Sequence, residues 1–376
     1  MEKSMKKPEK YLQQTFANPD YFPISSLSLC AMKKALFPVF LLWLLISGCK
    51  SDVREKGDTY ARIEGRTMGT TYHITYENSD TPHLKPEVEL LLKVINQDVS
   101  TYIPTAVISK FNQSKTGIEL PAGSANHFKI NFLKAKEIYE LSGGYFDPTV
   151  MPLVNYWGFG YTPKKPVEKI DSSRVDSLMA FVGMQKVTLQ RRADGDFLSK
   201  EKPGVQLDFS ALAKGYAVDE IARLLEKKGI KNYLVEIGGE LRAKGKNAKG
   251  KWWAVGINVP KETAGISDVQ SVLELKNKAV ATSGNYRNFY EVNGVKYSHT
   301  INPKTGFPER SNLLSVTVVA DDCMTADALA TTFMVMGLRK GEEWAKKLLD
   351  TTVYFIYNDG NGQLKMKLFK NGKPAY

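Results

Sequence analysis

The residues best suited to bind a metal ion are Asp327 and Thr331, four positions apart in the segment 323–331. Side chains at positions i and i+4 of a helix share one face, so a helix here would let the carboxylate and the hydroxyl reach one hard cation together. Asp327 would also lie in the first helical turn, where the helix dipole favours an acidic residue without any metal. The spacing therefore leaves a metal ligand and a capping acid as alternatives.

A second group of candidate residues lies in the segment 208–217, where Asp208 precedes a predicted helix. The early positions of this helix are small, and Gly215 would let a ligand or another backbone approach closely. Lys214 lies one turn into the helix, near an N-terminus that attracts phosphate. Taken alone, however, Lys214 is better explained as an exposed residue of an amphipathic helix.

His299 lies among turn-forming residues in the segment 298–306 and is a candidate general base. An imidazole in a loop near a metal can accept a proton at neutral pH. The alternative is a structural or solvated histidine, which is also how we interpret His73, His83 and His127. The usual nucleotide-binding, hydrolase and metalloprotease motifs are absent from the sequence. Gly238-Gly239 before Glu240 is interpreted as a tight turn and nothing more.

The N-terminal region has the pattern of a bacterial lipoprotein signal peptide. A basic start at residues 32–34 precedes an apolar run at 35–46, which is too short to span a bilayer comfortably. The run ends in Ile46-Ser47-Gly48-Cys49, which resembles a lipobox. A buried or membrane helix followed by an incidental cysteine is the alternative.

We therefore predict a signal peptide at 32–48, lipidation of Cys49 and a polar tether at 49–59. Residues 1–31 are interpreted as an untranslated or disordered extension. These features predict a protein of the cell envelope, anchored by lipid to a bacterial membrane and facing the periplasm or the exterior.

The composition favours anionic partners. The net charge of +12 would fall to +9 on removal of residues 1–48, which carry six Lys and three acidic residues. A basic surface attracts phosphates and membranes, but the sequence has no nucleic-acid-binding motif. Because Cys30 precedes the predicted cleavage point and Cys49 is the anchor, Cys323 is left alone and no disulfide is expected.

Residues 60–376 are predicted to form one domain of the α+β class, because groups of strands are separated from groups of helices. The apolar periodicity predicts helices at 86–99, 124–141, 211–228, 324–336 and 342–349. Strands are predicted at 186–207, 233–236, 252–257, 269–275 and 314–319, with a hairpin at 60–76 split by Gly65 and Gly69 and a closing hairpin of 353–357 and 364–369. The segment 148–166, rich in aromatic residues, Gly and Pro, predicts an ordered loop.

Taken together, these segments resemble the ApbE family of FAD:protein FMN transferases. The resemblance is carried by the order of five blocks: Met68-Gly69-Thr70, then Phe146-Asp147-Pro148-Thr149, then D-x-x-A-x-x-K-G from Asp208, S-H-T-I-N-P-x-T-G from Ser298, and A-D-A-x-x-T from Ala326. It covers nearly all of the chain after the predicted tether.

The resemblance implies a T-fold-related architecture with mixed or antiparallel sheets and packed helices. It also implies that FAD binds together with Mg²⁺. The metal ligands would be Asp327, Thr331 and the backbone carbonyl of Ala211. The FAD site would be lined by Met68, Tyr102, Phe146, Asp147, Pro148, Asp208, Lys214 and Ile301.

The activity implied by the resemblance is transfer of FMN from FAD to a Ser or Thr hydroxyl of a partner protein, with release of AMP. Acceptors would be flavoprotein subunits, for example of membrane redox complexes. His299 is the expected base, with Asp208 or Asp327 as the second candidates. An FAD pyrophosphatase, in which water replaces the protein hydroxyl, and a non-catalytic flavin-binding lipoprotein remain alternatives.

Overall fold

A nine-stranded antiparallel sheet lies at the centre of the part of the chain that the computed structural model describes. The described residues are 60–78, 84–124, 126–162, 170–258, 260, 269–285, 289–292 and 295–375. The predicted signal peptide, Cys49 and the predicted tether lie outside the described residues.

In spatial order, the strands of the central sheet are β1 (Tyr60–Thr67), β2 (Thr70–Glu77), β6 (Tyr233–Ile237), β7 (Glu240–Lys244), β10 (Ala279–Gly284), β13 (Leu313–Ala320), β14 (Thr352–Asn358), β15 (Leu364–Lys370) and β16 (Lys373–Ala375). A three-stranded sheet has the order β3 (Gly117–Pro121), β5 (Gly195–Lys200) and β4 (Val187–Arg192). Two hairpin-like pairs complete the described strands, β8 (Trp253–Asn258) with β9 (Val269–Leu275), and β11 (Phe289–Val292) with β12 (Val295–Ser298).

The described residues also form seven α-helices: α1 (Leu84–Val99), α2 (Val107–Gln113), α3 (Asn126–Leu141), α4 (Met151–Tyr156), α5 (Ser172–Met179), α6 (Ala213–Lys227) and α7 (Cys323–Ala345). Helix α6 packs on β6 and β7, α7 packs on β10 and β13, and the two helices contact each other. They therefore lie side by side on one face of the central sheet.

Both faces of the central sheet are covered, and strand β10 shows how the sequence achieves this. Ala279 and Ala281 belong to the main core under the helices, whereas Val280 belongs to a second core with Trp253 of β8. Alternate residues of a strand point to opposite faces, which explains why the first three residues of β10 are all apolar and buried. No helix among the described residues is long and apolar enough to cross a membrane.

The first hairpin has its turn at Met68 and Gly69, which have φ angles of 48° and 76°. Two successive left-handed residues are typical of the two-residue turns that join antiparallel strands. Gly65, at which the sequence predicted a break, instead lies within β1 opposite Tyr72.

The prediction of a loop over 148–166 was wrong for residues 148–156, which are helical. Residues Pro148–Val150 form a 3-10 turn that continues into α4. The side chain of Asp147 caps this turn by accepting the N–H of Thr149, and Pro152 lies in the first turn of α4, where proline is tolerated because its missing N–H needs no partner. Residues 163–166 of the segment lie outside the described residues.

The helix predicted to stop at Gly337 does lose its helical geometry there. Gly337 has φ 70° and ψ 175°, which divides α7 into two helical parts, and the second part runs to Ala345. Helices α2 and α5 were not predicted, because both are short. The α+β class itself is confirmed by the sheets and helices of the structure.

Candidate active site

The residues that open helix α6 and those of the first turns of helix α7 meet at one cavity of about 420 Å³. The N–H of Gly215 donates a hydrogen bond of 3.1 Å to Oδ2 of Asp327. A Cβ atom on residue 215 would lie 2.9 Å from the Cβ of Asp327 and closer still to the carbonyl oxygen of Cys323. The two helices can therefore approach this closely only because residue 215 has no side chain.

The same contact leaves the carbonyl oxygen of Ala211 open. In a regular helix the N–H of Gly215 would donate to the carbonyl four residues earlier, which is that of Ala211. Gly215 donates to Asp327 instead, and within the described residues no other group donates to the Ala211 oxygen. Because Ala211 borders the cavity, this oxygen is available to a ligand.

Thr331 lies one turn after Asp327 on α7, and its hydroxyl oxygen is 3.0 Å from that of Ser283 on β10. Both residues border the cavity. Within the described part of the chain, no group of three or more His, Cys, Asp and Glu side chains could hold a metal ion. A cation bound by Asp327 would therefore also need hydroxyl and carbonyl oxygens and the phosphate oxygens of a ligand. That donor set suits Mg²⁺.

Glu240 is a residue of the site that sequence reasoning missed. Its Oε1 lies 3.0 Å from Nζ of Lys214, and the residue is only 5% exposed. Its Oε2 is buried and has no hydrogen-bond partner among the described residues. Gly238 and Gly239, with φ angles of 60° and 103°, form the tight turn expected from the sequence, and this turn brings the first residue of β7 to the cavity.

Three carboxylates and one ammonium group face each other in this cavity. Burial raises the pKa of Asp327, Asp208 and Glu240, because an ionised carboxylate loses hydration there. The ammonium of Lys214 opposes the shift in all three. Burial works to lower the pKa of Lys214, but Glu240 and Asp327 raise it above its usual value. Three carboxylates share one ammonium group, so a further cation in the cavity would favour their ionised forms.

Asp147 stabilises the segment that follows α3. Its Oδ1 accepts hydrogen bonds from the N–H and the hydroxyl of Thr149, at 2.8 and 2.5 Å. The Thr149 hydroxyl in turn accepts the N–H of Gly183 at 2.6 Å. Burial raises the pKa of Asp147 to about 6, although the hydrogen bonds from Thr149 and the charge of Lys304 oppose the shift.

Phe146 and Pro148, the neighbours of Asp147, are also buried and border the same cavity. The carbonyl of Pro148 accepts the N–H of Asp208 at 2.7 Å. This bond joins two segments that lie about sixty residues apart in the sequence. The structure therefore brings together the predicted residues of both blocks.

The loop after β12 carries His299 to the cavity wall. The indole N–H of Trp157, directly after α4, donates to the carbonyl of Gly306 at 2.8 Å, and its ring stacks on Tyr297. Trp157 therefore contacts both β12 and the loop that follows it. The ring of His299 meets Phe159 edge to face, with 6.3 Å between ring centroids. Ile301 borders the cavity but is itself buried in a small core.

Met68 and Tyr102 border a second, adjoining cavity of about 880 Å³ between the first hairpin turn and α1. Tyr102, Asp208 and Lys214 border both cavities. Met68 does not border the cavity that contains Asp327. The predicted residues of the FAD site are thus distributed along two neighbouring cavities.

An α+β fold with a cavity in which a lysine lies near a helix N-terminus defines a class of protein suited to a ligand that carries phosphate. Residues 68–355 match the model of the ApbE family, and the chain belongs to this family. It is 38% identical to the FAD:protein FMN transferase of Haemophilus influenzae, over 88% of this chain and 95% of the relative. It is 41% identical to that of Vibrio cholerae, over 79% of this chain and 86% of the relative.

Solved structures agree with this family assignment. The flavin transferase ApbE from Vibrio cholerae matches with a TM-score of 0.71 at 36% identity, over 82% of this chain and 96% of the other. The flavinyl transferase ApbE from Pseudomonas stutzeri, in its apo form, matches with a TM-score of 0.73 at 33% identity, over 83% of this chain and 95% of the other. The family expected from the order of the sequence motifs is confirmed.

Proposed function

We propose that this protein transfers the FMN moiety of FAD to a Ser or Thr hydroxyl of a partner protein and releases AMP. The curated relatives that bear the name FAD:protein FMN transferase support the reaction. The observation that carries the proposal is the convergence of Asp327, the open carbonyl of Ala211 and Lys214 on one cavity. Oxygen ligands beside an ammonium group and a helix N-terminus are suited to a pyrophosphate.

Mg²⁺ fits the residues of this cavity. Asp327, Thr331 and the Ala211 carbonyl would hold it, and the Glu240 carboxylate, whose Oε2 has no partner among the described residues, lies nearby. When bound, Mg²⁺ would act as a Lewis acid on the pyrophosphate of FAD. Only one carboxylate would contact the ion directly, which agrees with the tendency of Mg²⁺ to share phosphate oxygens and waters.

Lys214 would contact the pyrophosphate, and the adjoining cavity between Met68 and Tyr102 would hold a further part of the dinucleotide. The acceptor oxygen forms a bond to the FMN-side phosphorus while the bond from that phosphorus to the AMP oxygen breaks. His299 would accept the proton of the acceptor hydroxyl. A positioned base of this kind contributes roughly 10²–10⁴-fold to a rate.

We further propose that the protein works at the cell envelope as a lipoprotein. The support is the lipobox-like Ile46-Ser47-Gly48-Cys49 after a basic start and an apolar run. Its acceptors would then be exposed outside the cytoplasm, such as flavin-carrying subunits of membrane redox complexes. Cys49→Ala should move the full-length protein from the membrane fraction to the soluble fraction and remove the lipid mass. An unchanged membrane fraction with no lipid mass in the wild type would contradict the anchor.

The activity is tested by incubating residues 49–376 with FAD, Mg²⁺ and an acceptor domain, and by measuring the intact mass of the acceptor. The expected result is a covalent FMN adduct that requires Mg²⁺ and is lost with Asp327→Asn. Asp322→Asn is the matched control, because Asp322 caps α7 and asparagine caps equally well. An acceptor that stays unmodified while FAD is cleaved to FMN and AMP would favour a pyrophosphatase instead.

A further inference from the structure

Lys214 lies beside two buried carboxylates that come from different parts of the fold. Glu240, at the start of β7, lies 3.0 Å from the Lys214 ammonium through Oε1. Asp327, on α7, accepts the N–H of Gly215, the residue next to Lys214. Both acids border the same cavity and are at most 5% exposed. The lysine therefore has two potential ionic partners, and the structure pairs it with Glu240.

The two acids differ in their other neighbours. Asp327 lies beside the open carbonyl of Ala211, and its only hydrogen bond within the described residues ends on Oδ2. Glu240 lies at the start of strand β7, and its Oε2 has no hydrogen-bond partner among the described residues. If the ammonium of Lys214 moved onto Asp327, it would occupy a carboxylate that a cation needs, and two positive charges would compete for one ligand.

We propose that Glu240 is a positioning residue that holds Lys214 away from Asp327 and so keeps Asp327 free for Mg²⁺. This inference rests on the proposed function, because it assumes that Asp327 binds the metal. It assigns chemistry to a residue that the sequence indicated only as the end of a tight turn. Glu240 acts through Lys214 and contacts neither the metal nor the reacting atoms.

The proposal predicts a change in the Mg²⁺ requirement of Glu240→Gln. The amide keeps the shape of the side chain but loses the charge, so Lys214 should turn to Asp327. We expect the Mg²⁺ concentration that half-saturates FAD binding to rise about tenfold or more. FAD affinity at saturating Mg²⁺ should stay near that of the wild type. FAD binding is followed by quenching of its fluorescence across a Mg²⁺ titration, without any acceptor.

Glu226→Gln is the matched control. Glu226 also pairs with a lysine, Lys244, at 3.1 Å, but it does not border either cavity. Its variant should keep the Mg²⁺ requirement of the wild type. The melting temperature of each variant, measured by circular dichroism, separates a loss of folding from a change in metal binding.

A double-mutant cycle with Lys214→Met tests whether Glu240 acts through the lysine. In that background the effect of Glu240→Gln on the Mg²⁺ requirement should disappear. An equally large effect without the lysine would make Glu240 a direct metal ligand and overturn the proposal. An unchanged Mg²⁺ requirement in Glu240→Gln would also overturn the proposal, provided that the wild type binds FAD in a Mg²⁺-dependent way. A wild type that shows no such dependence would instead contradict the proposed function.

Discussion

The N–H of Gly215 donates a hydrogen bond to Oδ2 of Asp327 at 3.1 Å, and this contact joins the helix that carries Lys214 to the helix that carries Thr331. It has three consequences for the site. It fixes one oxygen of Asp327, it leaves the carbonyl of Ala211 without its usual helical donor, and it brings α6 and α7 close enough to share a cavity wall.

Gly215→Ala should disrupt this arrangement. The new methyl group would collide with the carbonyl of Cys323 and with Asp327, and such overpacking costs about 1–3 kcal/mol. Because the collision displaces Asp327, the variant should also need more Mg²⁺ for FAD binding. Urea denaturation and an FAD-binding titration measure the two effects.

Gly229→Ala is a suitable control for Gly215→Ala. Gly229 follows the other end of α6 with φ 80°, and an added Cβ there would meet no atom within 4 Å. The control should lose stability through backbone strain but keep its Mg²⁺ requirement. If both variants lost stability and metal response equally, the special role of the Gly215 contact would be contradicted.

Asn112→Ala should weaken the site from a distance. The Asn112 amide donates to the carbonyl of Leu207 at 2.9 Å and accepts its N–H at 2.7 Å. These bonds hold the segment that leads to Asp208 and Ala211. Each backbone group left unpaired in the core costs about 1–3 kcal/mol, so we expect lower stability and weaker FAD binding.

Asn131→Ala serves as the comparison, because Asn131 is fully buried in α3 and its amide donates to the carbonyl of His127. It should lose stability without a change in FAD affinity, measured by the same fluorescence titration. Unaltered FAD affinity in Asn112→Ala would show that the segment 207–211 does not depend on this anchor.

The pKa of Asp147 predicts a pH-dependent stability. Burial raises this pKa from 3.8 to about 6, so the folded state binds the proton more tightly than the unfolded state between these values. Asp147 therefore contributes most to the free energy of unfolding below about pH 4. This contribution is lost as the pH rises through 6, and the loss is about 3 kcal/mol at most. Asp147→Asn should therefore gain stability over the wild type at pH 8 and little at pH 4. Urea denaturation across this range, without FAD, tests the prediction. A difference between the two proteins that does not vary with pH would contradict it.

His299→Ala should bind FAD and Mg²⁺ but lose turnover by roughly 10²–10⁴-fold, as expected for a lost general base. His127→Ala is the control, since His127 Nδ1 lies 2.6 Å from the hydroxyl of Tyr216 and the residue borders neither cavity. Rates of acceptor flavinylation under single-turnover conditions measure the effect. Loss of FAD binding in His299→Ala would make the residue a ligand contact, and full turnover would transfer the base role to Asp208 or Asp327.

Much of the site could be predicted from the sequence, because the residues of α6 and α7 lie in segments whose order is specific to the family. The i, i+4 spacing of Asp327 and Thr331 placed them on one helix face, and the structure brings both to the cavity. Glu240 could not be predicted in this way. Its proximity to Lys214 depends on how the turn between β6 and β7 meets α6, which is a relation between elements that local sequence does not encode.

The open carbonyl of Ala211 was expected only from the family resemblance, and the structure supplies a physical reason for it. A hydrogen bond between two helices takes the donor that local helix geometry would have used. Likewise, α4 was missed because the aromatic residues and glycines that follow it resemble a loop. Tertiary contacts of Trp157, directly after α4, with Tyr297 and Gly306 support the end of the helix.

The most direct test of the central claim is the ratio of AMP released to FMN attached, measured in one reaction of the protein with FAD, Mg²⁺ and an acceptor domain. Quantitative chromatography gives the AMP, and the intact mass of the acceptor gives the bound FMN. Transfer predicts one AMP for each FMN attached, and no AMP beyond a slow background when the acceptor Ser or Thr is replaced by Ala. AMP and free FMN formed at the same rate with either acceptor, and no adduct on the intact one, would contradict the account.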